Sequence, residues 1–213
     1  VRWMWRTFKR EFVGGAASIW EWYRRTLPLT LRGLRTPFWL MAGLAAIGMV
    51  IGALVVAQYR GAISADVLNL PDPRSRLENL MDQWGLFSTA PVITIFWQNT
   101  RALIIAMVLG VVSMGILGPL PILATMAVLG GVLGVISMQG VSPWLYLFGL
   151  ILPHGIIEIP AALLACAAVF RGGALMVTHT EGRTVGEVMI ASLATWLKVM
   201  LGIVLPLLLL AAV

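Results

Sequence analysis

His154 and Glu158 are the residues of this sequence whose types and spacing could do chemistry. An imidazole and a carboxylate four positions apart share one face of a helix. Such a pair could act as acid and base, relay a proton or ion, satisfy each other at a kink, or touch a partner or headgroup. As a metal site it would have two ligands and no obvious third. The pair stands in Leu152-Pro153-His154-Gly155-Ile156-Ile157-Glu158-Ile159-Pro160-Ala161, within an apolar run from Trp144 to Phe170. About 20 helical residues cross a bilayer core, and ionisable groups at that depth face protein or trapped water. Pro153 removes a backbone donor and disfavours the helical region for Leu152. The spacing predicts a helix that breaks or kinks near Pro153 and restarts with it at the first position.

Other chemistry is scarce. The sequence has no phosphate-binding glycine loop, no nucleophile elbow and no zinc-protease helix. Cys166 is the lone cysteine, so there is no disulfide framework, and it reads as a small buried hydrophobe. His179 reads as a solvated loop histidine. The expectation is a non-enzyme with no cofactor and no metal.

The elements that must position the pair follow from composition. The 213 residues are 60% hydrophobic and 11% charged, against about 25% charged in soluble domains. That places the chain in the membrane class. The expected fold is all-α: a polytopic helical membrane protein of about five spans, one broken at Pro153, with an N-terminal interfacial amphipathic helix. The net charge of +6 concentrates in the first 36 residues, where Arg2, Arg6, Lys9, Arg10, Arg24, Arg25, Arg32 and Arg35 face only Glu11 and Glu21. Basic residues beside a span mark the cytoplasmic side and attract anionic lipid. No nucleic-acid fold or repeat accompanies them.

In chain order, 1–36 is a basic aromatic leader and 37–213 the membrane domain. The leader is expected to lie in the interface, with Trp3, Trp5, Arg6, Lys9, Arg10, Trp20 and Trp22 at headgroup level. It has no clean apolar stretch of the signal-peptide kind. Spans are expected at about 38–57, 94–117, 122–138, 143–170 and 188–213. Gly48 and Gly52 in the first span allow close helix approach, either within the bundle or at a dimer face. The polar segment 58–93 is expected outside the cell, with an amphipathic helix from Pro73 to Trp84. Arg101 could snorkel to the interface or face the His154/Glu158 pair. Thr184 and Glu187 form a capping box that starts the last helix near Val185, and Lys198 is expected at the cytoplasmic boundary. Five spans from a cytoplasmic leader leave the C-terminus outside.

The ten-residue run from Leu152, the alanine-rich Ala162–Ala168 and Arg171-Gly172-Gly173 together resemble the signature of the stage II sporulation protein M family. Gln98-Asn99-Thr100-Arg101 followed by Ala102-Leu103 is similar to that family's Asn-Asn-x-Arg-x-Ala segment, with glutamine replacing the first asparagine. The resemblance covers roughly Phe38 to the C-terminus and excludes the leader. It implies a polytopic helical membrane protein. In spore formers it implies a scaffold that places peptidoglycan-remodelling enzymes. The positions it carries over are Asn99, Arg101, His154, Gly155, Glu158 and Pro160, beside Pro153.

The function expected is a non-enzymatic scaffold or subunit of a multi-protein cell-envelope complex. It would sit in the cytoplasmic membrane of a prokaryote, with its N-terminus cytoplasmic. Its expected partners are membrane lipids and other membrane proteins, including further copies of itself, and not nucleic acid. The rival expectation is a transporter or channel subunit, or an export-machine accessory, using His154 and Glu158.

Overall fold

The computed structural model describes residues 2–59, 89–138, 142–178 and 182–212. The amphipathic helix expected at 73–84, His179 and Glu181 lie outside the described residues. Those described are helical, with no strand among them: α1 Arg2–Val13, α2 Ile19–Glu21, α3 Leu27–Arg32, α4 Arg35–Gln58, α5 Thr89–Val112, α6 Leu120–Met138, α7 Pro143–Tyr146, α8 Leu152–Val177, α9 Val185–Val199 and α10 Leu205–Ala212. Among the described residues, four helices are long and apolar enough to cross a membrane: Arg35–Gln58, Leu120–Met138, Gly155–Val177 and Val185–Ala211. Phe96–Val112 is a shorter apolar helix in the place of the second expected span.

α8 is central. α4, α5, α9 and α10 all pack on it. Its middle is made of small buried residues, Ala161, Ala165, Cys166, Ala167 and Ala168, so its neighbours come close on several sides. α4 and α6 form the most extensive pair. Gly52 abuts the backbone of Ala127, and Gly130 abuts the backbone of Met49. Gly48 and Gly52 are buried in this contact, so the small-residue pair packs inside the bundle.

Among the described residues, three five-residue π turns interrupt the helices: Trp22–Thr26, Leu147–Ile151 and Met200–Val204. Each is followed by Leu-Pro: Leu27-Pro28, Leu152-Pro153 and Leu205-Pro206. In each case the leucine N–H reaches back to the first residue of the turn, namely Trp22, Leu147 or Met200. A proline inside a regular helix clashes with the carbonyl four residues back and gives it no hydrogen. Widening the preceding turn relieves both problems. At Pro153 the expected break or kink takes this form. The chain stays helical, Pro153 stands in the first turn of α8, and Leu152 keeps helical angles of φ −63° and ψ −37°.

The second span ends earlier than the expected Leu117. α5 stops at Val112, and Met114 and Gly115 take positive φ of 52° and 93°. The Gly115 N–H donates to the Gly110 carbonyl at 2.6 Å, closing the helix end. Ser113 Oγ donates to Leu109 O at 2.6 Å and accepts from the Leu117 N–H at 2.8 Å. The apolar Ile116 and Leu117 carry the hydropathy past a turn that these hydrogen bonds define.

The leader docks on the bundle. α1 packs along α9. Trp5, Phe8, Phe12, Trp22 and Tyr23 form a continuous ladder of rings with centroids 5.1 to 6.1 Å apart. Trp22 Nε1 donates to Phe12 O at 2.9 Å, which ties α1 to the turn before α3. Trp3, Trp5 and Trp20 are exposed, as are Arg6, Lys9 and Arg10. Trp22 departs from the interfacial placement expected for it. It is half-buried, and its ring edge stands over Gly202 beside Leu27.

Candidate functional site

α8 carries a polar site at each end. Thirteen residues separate Glu158 from Arg171, or roughly 20 Å at 1.5 Å per residue. The buried alanine-rich stretch fills the interval.

At the first end, Glu158 of α8 and Asn99 of α5 line one cavity of about 100 Å³. Ala102, Thr125, Ile159 and Leu208 complete much of its wall, so α5, α6, α8 and α10 all contribute. Asn99 and Glu158 are both half-buried. Thr125 Oγ1 donates to the Pro121 carbonyl at 2.9 Å. An amide beside a carboxylate in such a space can hold a cation or a hydrogen-bond donor. Arg101 is exposed. It stands two residues from Asn99, about 200° round a helix of 3.6 residues per turn, so the two cannot face the same way. Thr100 between them is buried, and its hydroxyl has no partner among the described residues.

The backbone of His154 is in the first turn of α8. The side chains of Pro153 and His154 lie outside the described residues. Gly155 is buried, and a Cβ there would meet Ile159 and Ile151 at 3.4 and 3.5 Å, an ordinary contact. Pro160 lies inside α8, where it has no N–H to offer the Ile156 carbonyl.

At the other end, three consecutive residues each reach a different element. The Arg171 guanidinium lies against Gly33, before α4. Gly172 packs on Ser192 of α9, whose hydroxyl donates to its carbonyl at 3.5 Å. Gly173 abuts Met114 and Gly115 in the turn after α5. Any side chain at Gly173 would drive into that backbone.

Beside Arg171 the leader borders an open polar cavity of about 530 Å³, lined by Arg10, Glu11, Glu21, Arg25, Arg171, Thr195 and Lys198 among others. Glu21 pairs with Arg25 at 3.1 Å. Glu11 stands 3.8 Å from Arg10 and 3.6 Å from Arg183. Lys198 of α9 is only 6% exposed, buried where α9 packs against the leader. Sequence reasoning did not single out Glu11, Thr195 or Lys198 as site residues. The available signals were a carboxylate in a basic leader and an ammonium in an apolar run. Among the described residues no group of three or more His, Cys, Asp or Glu side chains is placed to hold a metal ion.

Residues 41–213 match the family model described as stage II sporulation protein M. No curated protein matches the chain, and no solved structure does.

Proposed function

The chain belongs to the stage II sporulation protein M family, and from that premise we propose that it is a non-enzymatic scaffold or subunit of a multi-protein complex in the prokaryotic cell envelope. In this reading it sits in the cytoplasmic membrane with its basic leader on the cytoplasmic side. The observation that carries the reading is the seal between the two polar sites. Buried Ala161, Ala165, Cys166, Ala167 and Ala168 fill the interval on α8. The backbone-to-backbone contact of α4 with α6 adds a rigid wall. A tightly interlocked bundle suits a protein that holds others in place. The basic leader supports the orientation.

The test is isolation from native membranes in a mild detergent. Stoichiometric co-isolation of envelope proteins, or a stable homo-oligomer, is the expected result. A monomer that retains nothing would overturn the proposal.

A transporter subunit is the second reading, favoured by the cavity that joins Asn99 and Glu158. Flux across proteoliposomes should then fall when Glu158→Gln or His154→Ala is introduced. Flux that is absent in the parent, or unchanged in both variants, removes it.

A further inference from the structure

We propose that the seam between the leader and the bundle binds one anionic phospholipid, with its phosphate in the cationic cavity and an acyl chain in an apolar groove beside it. The inference goes beyond scaffolding and holds for either reading of the chain's role.

Two cavities of opposite character lie side by side here. The polar one, about 530 Å³, holds four cationic side chains, Arg10, Arg25, Arg171 and Lys198, against two carboxylates, Glu11 and Glu21. The other, about 410 Å³, is lined by Phe12, Ile19, Trp22, Tyr23 and Leu201 among others. Ala16 lines both, so the turn after α1 is their common wall. Leu201 is 48% exposed on the outside of the bundle, where bilayer chains would stand.

The cationic side chains lining the polar cavity outnumber its carboxylates four to two. Glu21 is engaged by Arg25 at 3.1 Å and by the Ala17 N–H at 3.0 Å. Glu11 is shared among three cations: Arg10 and Arg183 within 4.0 Å, and Lys198 at longer range. Arg171 and Lys198 enter no ion pair within 4.0 Å among the described residues. Lys198 is more than nine-tenths buried yet lines the cavity. A buried ammonium needs a counter-charge, and Glu11, divided among three cations, supplies Lys198 with only part of one. A phosphate between it and Arg171 would supply one through charge-assisted hydrogen bonds. A free anion would leave the aromatic groove empty, whereas a phospholipid fills both spaces.

The full chain in neutral detergent can be probed with phosphatidylglycerol, phosphatidylcholine and inorganic phosphate, using native mass spectrometry and thermal melting. One phosphatidylglycerol should be retained and should raise the melting temperature. Arg171→Gln and Lys198→Gln should each weaken retention tenfold or more. Arg32→Gln, which removes an exposed leader charge outside both cavities, should not. Should Lys198→Gln fail to fold, Ala16→Trp blocks the shared wall with every charge in place and should also abolish retention. The proposal is overturned if phosphatidylcholine binds as tightly. It is equally overturned if Arg171→Gln and Ala16→Trp retain phosphatidylglycerol like the parent. Full stabilisation by inorganic phosphate alone would mark a free-anion site and overturn it too.

Discussion

Gly52 of α4 and Ala127 of α6 meet backbone to backbone, with no room for a Cβ between them. Gly130 repeats the contact from the other side, against Met49. Gly52→Ala and Gly130→Ala should each cost about 1–3 kcal/mol through forced separation of the helices. Gly43 has open space around it, so Gly43→Ala should leave stability unchanged or slightly raised. Unfolding of the three variants in a common detergent, followed by circular dichroism, checks the ranking.

Gly173→Ala should be worse tolerated than Gly172→Ala. The first drives a methyl into the backbone of Met114 and Gly115, which cannot move without opening the α5 turn. The second meets Ser192 Cβ at 2.7 Å and Oγ at 3.0 Å, both side-chain atoms that a glycine at 192 would remove. The double change Gly172→Ala with Ser192→Gly should therefore recover much of the loss, whereas removing the Met114 side chain should not rescue Gly173→Ala. Yield of folded protein and melting temperature distinguish the two.

The start of α9 rests on a capping box. Thr184 Oγ1 accepts from the Glu187 N–H at 3.3 Å, and Glu187 accepts from the Thr184 N–H at 2.9 Å. Thr184→Ala should cost about 1 kcal/mol. Glu187→Gln keeps a side-chain acceptor and should cost less. Amide hydrogen exchange in the first turn of α9 should speed up markedly in the first variant and little in the second.

Thr100→Val should be neutral or stabilising. The buried hydroxyl has no partner among the described residues, and leaving such a group unsatisfied costs about 1–3 kcal/mol. A lowered melting temperature in Thr100→Val would show that the hydroxyl has a partner in the membrane.

Much of this architecture was readable from residue order. Pro37 and the run to Ala57 set α4, and the Thr184–Glu187 spacing set the start of α9. Asn99 and Glu158, nearly sixty residues apart, line one cavity, a juxtaposition that the sequence did not announce. What could not be read was tertiary in origin. The end of α5 depends on a Gly110–Gly115 hydrogen bond, which hydropathy does not register. The inward turn of Trp22 depends on Gly202, far along the chain, leaving space for its ring edge. The burial of Lys198 could not be read because its own helix gives no sign of the leader that folds over it.

The wide turns change how faces must be assigned along the helices they interrupt. Each inserts about one surplus residue, worth near 100° of rotation, so positions before and after Leu147–Ile151 or Met200–Val204 belong to different angular frames. A periodicity plot drawn straight through either stretch would aim half its side chains in the wrong direction. Deleting a single residue from one of these turns should thus swing the whole following segment, Glu158 included in the case of the Leu147 turn, away from its present neighbours.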